Sequence, residues 1–254
     1  MRIKFSSIEK KHIIIITIIL SFVFSFREWG AEKFSLSAGL LNWLQYLIAV
    51  AIIIIIKQAA HKVVAEKQGA SSELRIWNIK RYGLGKSKHF PISFLGYKIG
   101  SLPLGLILSI ILSFLSNGII RFAAVVSSEM KEETRIHKKF KNLTHTEIAL
   151  NSLIGLSLTL FLAILFQTLT FSGINLDKLT TVAYTITLYS LIPLSGLDGA
   201  KIFLGSKMLY LASAAAILLI TILIPTAGII ASVITALLVF LIMFLIYFRN
   251  ISQN

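Results

Sequence analysis

The sequence contains no cysteine. That excludes disulfides and any zinc site built on thiolates, so a metal here would need His, Asp or Glu. Acidic residues are also few: 11 Asp and Glu stand against 25 Lys and Arg in 254 residues. The resulting net charge of +14 raises nucleic acid as a partner. The basic residues, however, lie between apolar spans, where the positive-inside rule places them. No basic stripe interleaved with aromatics of the single-strand-binding kind is present either. Nucleic acid is therefore not an expected partner, and the lipid bilayer is. No internal repeat occurs at a useful period, which leaves an inverted-repeat transporter with little support. No small-x-small cleavage site follows the apolar run that starts at Ile13, so an uncleaved first helix is expected rather than a signal peptide.

What is present is hydrophobic sequence: 56% of residues are apolar, and the mean hydropathy is +0.83. Several runs approach the roughly 20 residues that cross a hydrocarbon core as helix. Spans are predicted at about 12–26, 40–66, 148–169, 179–194, 209–224 and 229–247. Pro225 to Gly228 make the turn between the last two. The stretch 69–98 is basic, and the alternation from Leu74 to Ile79 predicts a strand there. A second strand is predicted at 119–126, and the charged connector 127–146 reads as exposed and partly helical. The expected fold is an all-α polytopic membrane protein. It has about six transmembrane helices, a re-entrant segment and a small strand-bearing insert (69–98) within one membrane domain, 1–254. A helical hairpin, 206–254, closes the chain.

The apolar segment 102–115 decides the topology. Arg2, Lys4, Lys10 and Lys11 put the N-terminus in the cytoplasm of a cell-membrane protein, and the second span returns the chain there at His61. If 102–115 crosses, Lys138, Lys139, Lys141, Lys201, Lys207 and Arg249 all fall outside; if it dips in and returns, all fall inside. Charge favours re-entry, and Pro103, Gly105 and Gly118 suit a broken hairpin packed on protein.

One carboxylate stands out. Asp198 ends a long apolar segment in Ser190-Leu191-Ile192-Pro193-Leu194-Ser195-Gly196-Leu197-Asp198-Gly199. An ionisable group at such a place is costly, and by default it marks a functional site. Upstream, Lys57-Gln58-Ala59-Ala60-His61 sets Lys57 and His61 one helical turn apart.

These residues resemble the two motifs of the site-2 proteases, a family of intramembrane zinc metalloproteases. The Asp-Gly segment is similar to the family's third-ligand motif. The stretch from Lys57 to Gly69 is similar to its His-Glu-x-x-His helix, and that from Glu147 to Gly155 to the core helix between them. The resemblance covers about 40–205. It implies that His61 and Asp198 are remnant zinc ligands, that Lys57 holds the lost first-ligand position, and that Gln58 holds that of the general base. An ammonium has no lone pair for a metal, and an amide is no base. Ser190 stands where the family often has Asn. No catalytic residue is intact.

The resemblance implies a catalytically inactive homologue that binds transmembrane segments or membrane partners, with no cofactor. The alternative is an active or remodelled zinc protease whose missing ligand comes from elsewhere. A third reading is a small-solute transporter. Parity supports the frame: Asp198 meets His61 only if an even number of crossings separates them, as re-entry at 102–115 gives. Lys57 is expected to pair with Asp198 in place of the metal's charge, with His61 donating a second bond to the same carboxylate. Plainer roles are open for each residue. His61 suits a solvated helix end, Lys57 can snorkel, Gln58 can pack within the helix bundle, and Asp198 can cap its own turn. His89, His137 and His145 lie in polar stretches and read as solvated. A relocated site on His145 and Glu147 would need residues two apart to share a face.

Overall fold

The computed structural model of the chain describes residues 4–29, 34–79, 92–94, 97–99, 101–133 and 142–252. The polar stretches that carry His89 and His137 lie outside them. Of the described residues, 72% are helical. Helix α1 spans Ser7–Ser25 and begins in a capping box: Ser6 accepts from the Glu9 amide while the Glu9 side chain reaches back to the Ser6 amide. Helix α2, Leu36–Lys67, returns antiparallel to it and stops at Gly69, whose φ of +71° suits glycine. Strand β1, Ala70–Ile76, follows. A two-stranded ribbon, β2 (Ile92–Phe94) with β3 (Tyr97–Ile99), comes next.

Helix α3, Leu104–Leu115, ends where Asn117 and Gly118 both take positive φ. Its two ends define a path. Gly105 packs against the backbone of Ala124 and Val125, so closely that a Cβ there would collide with them. At the far end Phe114 packs on Phe22 and Phe26, near the end of α1. The chain then comes back without helix or strand through 119–125. Strand β4, Val126–Glu132, pairs antiparallel with β1, from Ala70 opposite Glu132 to Ile76 opposite Val126.

Helix α4, His145–Phe171, opens with a second capping box, Thr144 with Glu147. Helix α5, Asp177–Leu191, ends as Ile192 becomes extended before Pro193. The short α6, Asp198–Gly205, lies across the start of α4, where Gly205 sits on the His145 carbonyl and Ala149. Helix α7, Lys207–Ser252, breaks at Gly228, where φ is +78° and ψ is 169°. Ile220 and Ile224 before the break share a cluster with Ala236 beyond it. A straight helix would hold Ile220 and Ala236 about 24 Å apart, so the two arms fold back on each other.

Among the described residues, four helical segments are long and apolar enough to cross a membrane: α2, α4, and the arms Lys207–Ile224 and Thr226–Met243. Of the other expected spans, α1 carries Glu9, Lys10 and Lys11 in its first turns, and α5 has 15 residues. The core lies where α1, α2, α4 and α5 meet, around Leu20, Phe24, Ile53, Ala163 and Ile186.

Two local expectations fail. The predicted strand at 119–126 is neither strand nor helix before Val126. The connector 127–146 begins not as helix or exposed loop but as β4, with Ser127 and Ser128 buried. The reason is that Ser127 and Ser128, on opposite faces of β4, are both buried on polar partners, so no apolar alternation marks it. Its pairing also means that β1 finds its partner beyond the expected insert.

Candidate functional site

The expected site residues converge where the end of α2, the α5–α6 junction and β4 meet. Three features of the sequence bring them together. A Cβ on Gly199 would strike the carbonyls of Leu191 and Ile192, so glycine lets α6 start against the end of α5. Gly196, with φ of +94°, turns the intervening loop. That loop is then held by two hydrogen bonds. Trp77 Nε1 donates to the Ser195 carbonyl at 2.7 Å, and Ser127 Oγ donates to the Gly196 carbonyl at 2.6 Å. Asp198 is thereby fixed beside Ser190 and facing α2.

Lys57 Nζ lies 2.8 Å from Asp198 Oδ2 and donates to Ser190 Oγ at 2.7 Å. The Lys57 and Asp198 side chains are each 2% exposed. The helix-capping alternative for Asp198 does not hold: it is the first residue of α6, and no side chain caps that helix. Nor does Lys57 snorkel. Asp198 Oδ1 accepts from Ser128 Oγ at 3.2 Å and lies 3.6 Å from Lys201 Nζ. Lys201 in turn donates to the carbonyl and the hydroxyl of Ser128. One carboxylate thus carries two ammonium groups and ties four elements together.

His61 is present but plays a different part from the one expected. Its Nε2 is 3.7 Å from Asp198 Oδ2, beyond a hydrogen bond, and this buried nitrogen has no partner. Its Nδ1 lies 2.5 Å from Asn151 Oδ1, while Asn151 Nδ2 donates to the His61 carbonyl at 3.0 Å. With its NH₂ so engaged, Asn151 offers only its oxygen, and the proton therefore sits on Nδ1. Nε2 keeps a bare lone pair.

Gln58 turns to the other side of α2. Its amide donates to Glu9 Oε1 at 2.7 Å and to the Ser72 carbonyl at 3.1 Å. Glu9 also accepts from the Leu74 amide at 3.1 Å and pairs with Lys62 at 2.9 Å. This is the packed role for Gln58, and it adds a buried carboxylate, Glu9, that the motif comparison passes over. The Ser6–Glu9 capping pattern was its signal. Lys201 likewise carried a signal, as a cation one turn after Asp198.

Zinc in the family manner needs three protein ligands and a water. Here two donors, His61 Nε2 and Asp198 Oδ2, face each other, and an ammonium occupies the carboxylate. Among the described residues no group of three His, Cys, Asp or Glu is placed to hold a metal. His145 is exposed at the start of α4, and Glu147 serves the Thr144 cap, so they make no substitute. The residues present do not fit the zinc. The sequence matches no family model, and no curated protein or solved structure matches it either.

Proposed function

We propose that the chain is a site-2-protease-like integral membrane protein that has lost hydrolysis and binds transmembrane segments or partner membrane proteins. The observation that carries this reading is the Lys57–Asp198 pair. The ammonium stands 2.8 Å from the carboxylate that the family gives to zinc, and it supplies positive charge without a Lewis acid or a site for activated water. Beside it, an amide replaces the base, and its own donor is committed to Glu9. The charge cluster then acts as a structural tie that keeps the frame and its lateral surface intact. An apolar recess lined by Ile18, Phe22, Trp43 and Ile110 suits the side of a helix.

In a membrane, α1, α2, α4, α5 and both arms of α7 make six crossings, with α1 and α5 sheltered by their neighbours. The segment of α3 enters and leaves on one side, supported by the contact of Gly105 with Val125. The N-terminus is cytoplasmic in the cell membrane, as the distribution of basic residues favours.

The test is elemental analysis of the purified protein, together with reconstitution with single-span reporters. Bound reporters left uncut, with no stoichiometric zinc, are expected. About one tightly held zinc per chain, lost on His61→Ala, would overturn the reading, as would reporter cleavage.

A further inference from the structure

At the end of the bundle away from Asp198, α2, the start of α5, Glu28 just beyond α1 and Arg121 in the 119–125 stretch line a half-open cavity of about 820 Å³. We propose that it holds the head group of a phospholipid bearing both a phosphate and a primary ammonium. The proposal is independent of the protease-like reading, because Tyr46 in the cavity lies about 16 Å along α2 from Lys57.

The charges are placed for such a head group. Glu28, Arg121, Asp177 and Lys178 line the cavity, two carboxylates with two cations. They sum to zero, which matches a zwitterion better than a simple anion. Lys178 is held in position: its Nζ donates to Asn42 Oδ1 at 2.6 Å and to Gln45 Oε1, and it lies 5.0 Å over the ring of Tyr46. Glu28 is anchored by the Tyr46 hydroxyl at 2.7 Å and lies 3.4 Å from Lys178. Arg121 lies beside the Tyr46 hydroxyl, and its Nη2 is 3.8 Å from Glu28 Oε1; a guanidinium has five donors in a fork suited to phosphate, so it keeps donors to spare. Arg121 and Lys178 are each 26% exposed, so a ligand can reach them. Asp177 is exposed at the first turn of α5, and no side chain caps that helix. A primary ammonium between Asp177 and Glu28 would leave the phosphate facing the two cations.

The second observation concerns the tails. Ile48 lines the cavity and also belongs to an exposed stripe on α2: Leu41, Leu44, Ile48, Ile52 and Ile55. Spacings of three and four put them on one face. The stripe runs about 21 Å along the helix, more than half of a hydrocarbon core of roughly 30 Å. A lipid whose head enters the cavity has its acyl chains laid along that stripe.

The experiment is native mass spectrometry of the purified full-length protein titrated with phosphatidylethanolamine, phosphatidylglycerol or inorganic phosphate. Saturable binding of phosphatidylethanolamine is expected, several-fold tighter than phosphatidylglycerol, with inorganic phosphate in large excess failing to displace it. Arg121→Gln with Lys178→Gln should weaken both lipids about tenfold or more. Asp177→Asn should remove only the preference between them, and Arg121→Lys should keep much of the binding, which separates charge from misfolding. Unchanged lipid affinity in the double variant would overturn the proposal, as would unchanged preference in Asp177→Asn. Displacement by inorganic phosphate would make the cavity a free-ion site and also overturn it. Glu73→Gln, on strand β1, should leave lipid binding as it is.

Discussion

Gly155 on α4 packs directly against the imidazole of His61 on α2: a Cβ built at Gly155 would collide with its Nε2 and Cε1. The closeness of the two helices at this point depends on the absence of one carbon. It also presses His61 toward Asn151, one turn earlier on α4, and so fixes which nitrogen carries the proton.

Gly155→Ala is therefore expected to destabilise the protein by about 1–3 kcal/mol, the usual range for overpacking a tight core. It should also break the His61–Asn151 bond. Thermal unfolding in detergent gives the first, and imidazole nitrogen shifts by NMR give the second. A substitution that leaves both unchanged would show that α2 and α4 do not approach this closely.

Lys57 and Asp198 should behave as one unit. Lys57→Met or Asp198→Asn leaves a buried charge without its main partner, and each is expected to cost about 3–5 kcal/mol. The double change should cost clearly less than the two single costs added together. Lys201 sharpens the expectation: it keeps one cation near Asp198, so losing Lys57 should hurt less than losing Asp198. Additive, mild effects in denaturant titrations would contradict the pairing.

The β1–β4 ribbon should respond to acid. Hydrogen bonds from Lys131 and then Arg75 hold the Glu73 carboxyl below its ordinary range. A carboxyl whose folded value is depressed adds stability above its unfolded value, near 4.3, and loses it as pH falls through the folded one. Hydrogen exchange at β1 amides should therefore quicken as pH drops below about 4, after correction for intrinsic rates. Glu73→Gln should remove that step, and a step that persists in the variant would point to another group.

Topology can be read by labelling, since the chain has no cysteine of its own. Cysteines placed singly at Glu66 and Thr146 should label from the same side of the membrane, and one at Asn175 from the other. Glu66 and Thr146 labelling from opposite sides would mean that the α3 segment crosses.

Much of the helical frame was legible in the sequence because apolar runs, capping residues and turn glycines leave strong local marks. The end of α2 and the Lys57–Asp198 pair were legible for a different reason: an isolated charge in an apolar setting must find an opposite one. β4 was not legible. Its Ser127 and Ser128, on opposite faces of the strand, are both buried because they meet polar groups 69 and 70 residues away in sequence, and no periodicity records such partners. Glu9 carried a local mark as the capping partner of Ser6, but its burial depends on the distant Gln58, Lys62 and Leu74, which that mark does not record. His61 shows the limit of motif reasoning: its residue type suggested a donor to Asp198, but Asn151 decides where its proton lies.

The charge tie also imposes an order on biosynthesis. Lys57 precedes Ser190 by 133 residues, and Asp198 comes later still. At translation rates of about 5–20 residues per second, α2 must wait on the order of ten seconds before its counter-ion exists. Until then the Lys57 ammonium lacks both the carboxylate and the hydroxyl that it meets in the folded bundle. The first residue of α6 supplies that carboxylate. The same contact that fixes the bundle therefore forms only after α4, α5 and the start of α6 have been made.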